Sequence, residues 1–300
     1  MSRMSSEKRV QFDFEIDFSN GGGLSGHAFR LDIGSDDIAD SALADAVVRD
    51  LRLLMVGAVR IRNKTIIAEP HKRSASDTAR FTARRLVDLS HTIEDGMITY
   101  KGLPAPLICN HMSREQSRAH YAPGTEFQIG RITMVANTGT YIDSPFHRFA
   151  DGADVADFEL ARIAMLDAIV VRATGLSARA LSRNVFSAFD VRGKAVLVHT
   201  GWDANWRTDR YFEGHPFLSA DAAMFLRDAG ARLVGIDSLN IDDIADTTRP
   251  VHTTLLGAGI PIVEHLCNLG ELPSSFLFSA VPPKVRGMGT FPVRAFALCE

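Results

Sequence analysis

Asn137, Tyr141, Asp143 and His147 fall within one eleven-residue segment, NTGTYIDSPFH, at intervals of four, two and four residues. An amide, a phenol, a carboxylate and an imidazole gathered this closely can run acid–base chemistry, histidine being the side chain that titrates near neutrality. If 137–143 is extended, alternation puts Asn137, Gly139, Tyr141 and Asp143 on one face. Ser144-Pro145 then ends the strand, and His147 stands on the turn beyond it, so the four polar groups form one wall. Gly139 leaves room for a close approach to the backbone. A second group lies more than a hundred residues downstream. His252 follows Arg249-Pro250-Val251, a loop-like entry to Thr253-Thr254-Leu255-Leu256. Glu264, in the run 260–266, shares a strand face with Ile260, Ile262 and Leu266. A carboxylate on an apolar face is costly unless it meets a cation or hydrogen-bond donors.

The eleven-residue segment resembles the signature His-x-Gly-Thr-His-x-Asp-x-Pro-x-His of the cyclase / kynurenine formamidase-like family of metal-dependent amidohydrolases, which includes the isatin hydrolases. Asn137 and Tyr141 stand where that signature has its two histidines. His252 and Glu264 keep the family's His-x(11)-Glu spacing, and Asp143 keeps the position that bridges two ions. The resemblance therefore implies one complete ligand set, Asp143, His252 and Glu264, beside a second set that has lost both histidines. An asparagine carbonyl is a weaker donor than imidazole, and a phenol titrating near pH ~10 is a poor ligand. The expectation is a single Zn or Mn ion, or none, rather than a dinuclear centre. A bound ion can bring the pKa of water to about 7. His147 matches the family's catalytic histidine and is expected to act as general acid/base. Tyr141 is expected to hydrogen-bond a developing oxyanion. Trp202 and Asp203, in the segment His199-Thr200-Gly201-Trp202-Asp203, match a family segment that borders the site. Phe146 and Phe149 flank the catalytic turn and are expected, with Asn137, to shape a pocket for an apolar or aromatic substrate. Gly287-Met288-Gly289-Thr290-Phe291-Pro292 matches another family segment, its glycines permitting close backbone approach. Asp237, Asp242 and Asp243 read as strand-end loop residues at least as readily as active ones.

These groups need elements to hold them. The region before residue 85 opens with an alternating strand, Val10–Phe18, a glycine turn after Ser19, and a returning strand, His27–Ile33. Helical spacing over Ser41–Met55 puts Leu43, Val47, Leu51 and Leu54 on one face. The stretch 55–67 is β-rich and 70–79 reads as a linker. Residues 1–80 thus form a small ββαβ appendage, and residues 86–300 the catalytic domain, over which the family likeness runs. In that domain 168–171, 195–199, 232–236 and 260–266 are buried-strand candidates, and 219–229 is a helix with Ser219 as N-cap. Interleaved strands and helices give an α/β class. The resemblance sharpens it to a swivelling β/β/α fold.

A net charge of −3 gives no reason to expect nucleic acid or an anionic membrane as partner. The polar start, Met1–Gln11, has no signal-peptide core, and no apolar run approaches the ~20 residues of a membrane span. Cys109, Cys267 and Cys299 suggest neither a disulfide framework nor a cysteine zinc site. A cytoplasmic location is the expectation. The β-rich appendage predicts a homo-oligomer, a dimer or tetramer as is usual in the family. The leading functional expectation is a hydrolase of a small cyclic amide, formamide or related carbonyl compound. A metal-free acid–base enzyme (dehydratase, isomerase or cyclase) and a catalytically silent small-molecule binder are the alternatives.

Overall fold

The computed structural model describes residues 8–51, 53–68 and 85–299, so the stretch 70–79 lies outside the described residues. The chain divides into two compact units, residues 1–82 and 83–300.

In the first unit the alternating run becomes β1 (Lys8–Phe18), which pairs antiparallel with β2 (Gly23–Ile33) and with β3 (Val56–Ala68). The apolar half of the alternation, Val10, Phe12, Phe14 and Ile16, is buried, and the helix Asp40–Asp50 closes over it with Leu43 and Val47. The helix stops short of the expected 55. Leu54 is 82% exposed rather than inward, because Met55 adopts a φ of 58° and turns the chain into β3.

The strands of the second unit are β4 (Arg85–Asp88), β5 (Leu107–Met112), β6 (Ile129–Thr133), β7 (Tyr141–Asp143), β8 (Leu166–Arg172), β9 (Ala180–Leu181), β10 (Ala195–His199), β11 (Phe217–Leu218), β12 (Leu233–Ile236), β13 (Ile262–Glu264), β14 (Ser275–Ser279), β15 (Thr290–Pro292) and β16 (Phe296–Cys299). Nine of them form one sheet in the order β15-β7-β13-β12-β10-β8-β14-β16-β4. Its centre, β13-β12-β10-β8, is parallel, and antiparallel strands extend it at both ends. Central strands covered on both faces read as continuous apolar runs. Ala195 and Leu197 accordingly face one core with Phe278 and Ala297, while Val196 and Val198 face the other. That second core is covered by the helices Ala220–Asp228 and Pro250–Gly257, through Ala222, Leu226, Val251 and Leu255. Ser219 does sit at an N-cap, but its hydroxyl donates to Leu181 O instead of accepting from the helix. The architecture is mixed α/β with few helices, the class expected. Among the described residues no helix is long and apolar enough to cross a membrane.

Three local departures from the sequence reading bear on the polar groups. Only 141–143 of the expected 137–143 strand is extended. Gly139 has a φ of 66°, and a Cβ there would come within 2.8 Å of Ile93 Cγ1, so what approaches this glycine is Ile93. The entry to His252 is helical, not loop-like. Pro250 occupies the first helical position, where its missing N–H costs nothing. β13 spans 262–264 rather than 260–266, because His265 takes a φ of 55° and breaks the strand.

Candidate active site

β7 lies between β13 and β15 and runs antiparallel to both. In that register Tyr141 stands opposite Glu264, and Asp143 stands opposite Thr290. Directly paired side chains on one face are neighbours, and both pairs bond. Tyr141 Oη donates to Glu264 Oε2 at 2.6 Å, and Thr290 Oγ1 donates to Asp143 Oδ1. The second carboxylate oxygen of Glu264, Oε1, accepts from the Ile241 amide at 2.6 Å. Glu264 thus has the donors that its place on an apolar face requires.

His252 reaches the same point from the first turn of the helix Pro250–Gly257. The carboxylate of Asp242 accepts from the amides of Val251 and His252 at 2.7 and 3.0 Å, capping the helix, and its Oδ2 lies 2.6 Å from His252 Nδ1. With Nδ1 engaged, His252 presents Nε2, which lies 3.7 Å from Asp143 Oδ2 and 3.8 Å from Glu264 Oε1. His147 follows β7 on a 3-10 turn, Pro145–His147. Its Nδ1 is 2.9 Å from Thr290 Oγ1, and its Nε2 is 3.9 Å from Asp143 Oδ1. The turn is seated on Gly289, where a Cβ would come within 2.5 Å of His147 Cα. Gly287 has no such neighbour; its φ of 77° is what calls for glycine there.

The electrostatics follow from burial. Asp143, Asp242 and Glu264 are essentially inaccessible, as is Tyr141. Burial pulls His252 down, but the Asp143 and Asp242 carboxylates outweigh it and raise its pKa to about 10. Burial raises Glu264 to about 7, opposed mainly by His252. Burial also pushes Asp143 up, yet His147, His252 and Thr290 leave it below the ordinary carboxylate value. Burial and the Glu264 and Asp143 carboxylates drive Tyr141 well above its usual pKa, so its hydroxyl is a proton donor. Three carboxylates, Asp143, Asp242 and Glu264, therefore surround the His252 imidazole.

This arrangement fits a divalent cation. Asp143 Oδ2 is buried and has no hydrogen-bond partner in the protein. It faces the one histidine nitrogen that Asp242 leaves free. The donor spacings of 3.7 and 3.8 Å are close to the edge of a tetrahedral zinc shell, about 3.4 Å for metal–ligand bonds near 2.1 Å. A carboxylate behind a ligating histidine is the usual support of such sites. Asp143, His147 and His252 form an overlapping triple whose ligand atoms all lie within 4.8 Å of one another. His147 is the partly exposed member of that triple, on the cavity side.

A cavity of about 440 Å³ opens onto the cluster and is lined by Asn137, Tyr141, His147, His252 and Glu264, with Tyr100–Leu103, Arg148, Asn240 and Arg249. Of the residues expected to form the pocket, Asn137 lines it. Phe146, Phe149, Trp202 and Asp203 are not among the lining residues. Phe149 packs against the second core and Gly257, and Phe146 belongs to the turn itself. Trp202 donates its indole N–H to Tyr211 O, and Asp203 accepts from the Asn268 amide. The Tyr141 hydroxyl donates to Glu264, where the sequence led to the expectation of an oxyanion donor. Asp242 and Thr290 are the residues the sequence reading did not single out. Thr290 lay in a segment matched for its glycines, and Asp242 in a run of three aspartates with nothing to rank them.

Residues 87–243 match the family described as "Putative cyclase". The kynurenine formamidase of Geobacillus thermodenitrificans is 31% identical over 182 residues, 60% of this chain and 84% of that one. A solved structure described as a potential metal-dependent hydrolase with cyclase activity superposes with a TM-score of 0.60 at 27% identity, covering 73% of this chain and 99% of its own. Isatin hydrolase A of Labrenzia aggregata gives a TM-score of 0.63 at 20% identity over 74% of this chain and 96% of its own, a likeness of fold.

Proposed function

The chain belongs to the cyclase family, and on that premise we propose that it hydrolyses the carbon–nitrogen bond of a small cyclic amide, formamide or related carbonyl compound. Asp143, His252 and Glu264 would hold one divalent ion, Zn or Mn. The observation that carries the reading is the unpartnered, buried Asp143 Oδ2 facing a histidine nitrogen that Asp242 has oriented. When bound, a divalent ion supplies Lewis acidity and makes water nucleophilic near neutral pH. The remaining work falls to the side chains. His147, partly exposed on the cavity wall, would take a proton from water and return it to the leaving nitrogen. Thr290 fixes its ring. Tyr141 holds Glu264 in one orientation in place of the imidazole that the family signature has there. Asn137 offers the cavity a neutral amide where a second ligand would stand.

Metal content tests this reading, measured by elemental mass spectrometry on protein purified without chelator or histidine tag. About one equivalent of Zn or Mn, lost in His252→Ala, together with amide hydrolysis abolished by chelation, is the expected result. No stoichiometric metal after dialysis against both ions would end the mechanism and shift attention to metal-free acid–base chemistry. We also propose a homo-oligomer. The outer strands β2 and β3 of the first unit leave edges for pairing. The hairpin β5–β6 exposes Leu107, Ile108, Ile129 and Ile132. Removing residues 1–80 should lower the mass seen in light scattering; an unchanged assembly would rule out that segment's role.

A further inference from the structure

The cavity over the acidic cluster has a basic rim. Arg249, Arg148 and Lys101 all line it. Lys101 has a distant partner in Glu213, 3.8 Å away. The two arginines have neutral company. Arg249 Nη1 donates to Asn240 Oδ1 at 3.2 Å and to the Asp243 carbonyl at 3.5 Å. Arg148 Nε donates to Thr253 Oγ1 at 3.2 Å, its guanidinium lying 5.3 Å from the Phe149 ring centre. Among the described residues neither arginine has a carboxylate within ion-pair distance, although the surface supplies partners to Arg60, Arg85, Arg118 and Arg294.

Their positions are not incidental. Arg148 directly follows His147. Arg249 is the N-cap of the helix Pro250–Gly257, three residues before His252, and both line the cavity. Its backbone sits at φ 49° and ψ 60°, the left-handed region that residues with a Cβ rarely adopt. Sparsely populated backbone conformations of this kind cluster at ligand-binding positions. A guanidinium offers paired N–H groups that match a carboxylate in two parallel hydrogen bonds. Two of them, Arg148 next to His147 and Arg249 three residues before His252, define where a substrate's negative charge would rest.

Resting on the hydrolase reading above, we propose that the substrate carries a carboxylate, gripped by Arg249 and Arg148 while its amide carbonyl faces Asp143, His252 and Glu264. Lys101 adds long-range attraction.

The test separates this from the hydrolase reading. Binding of benzoate and of benzamide to the metal-loaded full-length protein is measured by calorimetry, with the wild type, Arg249→Met, Arg249→Lys and Arg148→Met. Benzoate is expected to bind at least tenfold more tightly than benzamide. Arg249→Met should erase that preference, Arg249→Lys should keep part of it, and Arg148→Met should reduce it, each without loss of bound metal. In turnover, kcat/KM for carboxylated formanilides over that for formanilide should fall at least tenfold in Arg249→Met, chiefly through KM. Equal binding of benzoate and benzamide by the wild type overturns the proposal. So does a benzoate affinity unchanged in both methionine variants, which would assign the anion to the metal alone. A kcat for formanilide that falls as far as that for its carboxylated counterparts would place Arg249 in the chemistry and likewise overturn it. Intact benzoate discrimination with no amide hydrolysed would strike the hydrolase reading and leave the anion site standing.

Discussion

Replacing Asp242 with asparagine removes one oxygen's worth of acceptor from a group that serves three donors. In the native site Oδ1 accepts from the Val251 amide at 2.7 Å, while Oδ2 accepts from the His252 amide at 3.0 Å and lies 2.6 Å from His252 Nδ1. An asparagine keeps a single acceptor oxygen. If that oxygen faces His252, the new NH2 group points at the Val251 N–H, donor against donor in a buried site. Leaving one buried donor unsatisfied costs about 1–3 kcal/mol. At 2–4 °C per kcal/mol for a unit of this size, that amounts to a fall in melting temperature of roughly 4–8 °C for the middle of the range. The second effect is on metal. Losing the carboxylate behind a ligating histidine typically weakens metal affinity about 10–100-fold, or ~1.4–2.7 kcal/mol. Scanning fluorimetry of metal-free protein reads the first effect, and competition against a fluorescent chelator reads the second. A folded Asp242→Asn protein with a Zn or Mn affinity within twofold of the wild type would refute the assignment of His252 as a ligand oriented by Asp242.

His147→Ala should lower kcat by about 10²–10⁴ while leaving one equivalent of metal bound. Loss of the metal instead would identify Asp143, His147 and His252 as the true ligand triple. Restoring the signature histidines, Asn137→His with Tyr141→His, should raise the metal stoichiometry from one to two in equilibrium dialysis; a value that stays at one would show that the departure from the family pattern is not what limits the site. Acid stability has a contribution from His265, which complete burial pushes down to about 3. A histidine kept neutral in the fold favours folding fully above the unfolded value of ~6.5, and this contribution is lost as pH falls toward the folded value. Between pH 6 and 5 it should account for about 1 kcal/mol. Urea midpoints at the two pH values should therefore differ less in His265→Asn, and an identical difference in both proteins would assign the effect elsewhere.

The ligand-type residues were legible because their chemistry is sparse. Asp143 and His147 sit in the segment that resembles the family signature, and Glu264 is a carboxylate in an apolar run. The centre of the sheet was legible for another reason: a strand such as β10 is buried on both faces and announces itself by composition alone. What was illegible is what depends on register between distant strands. Nothing in the spacing of Tyr141 says that it will lie opposite Glu264 across β7 and β13, so its hydroxyl could be assigned only by chemical type. Asp242 was one of three aspartates in a strand-end run, and only the fold shows which of them meets a helix start. Pro250 misled for a definite reason: the residue that breaks a helix interior is well suited to its first position, so a helical entry to His252 read as loop. Gly139 misled in a different way, since a left-handed residue inside an apparent alternation interrupts the face it seemed to belong to.

Thr290 carries one hydroxyl proton and has two claimants for it. A carboxylate has none to offer, so the bond to Asp143 Oδ1 takes the threonine proton. The bond to His147 must then run the other way, with Nδ1–H donating to Thr290 Oγ1. Neutral His147 is thereby held in a single tautomer whose lone pair is on Nε2. A methyl-bearing hydroxyl near the end of the chain thus decides which ring nitrogen serves as the base. Serine at this position would preserve that choice and valine would release it.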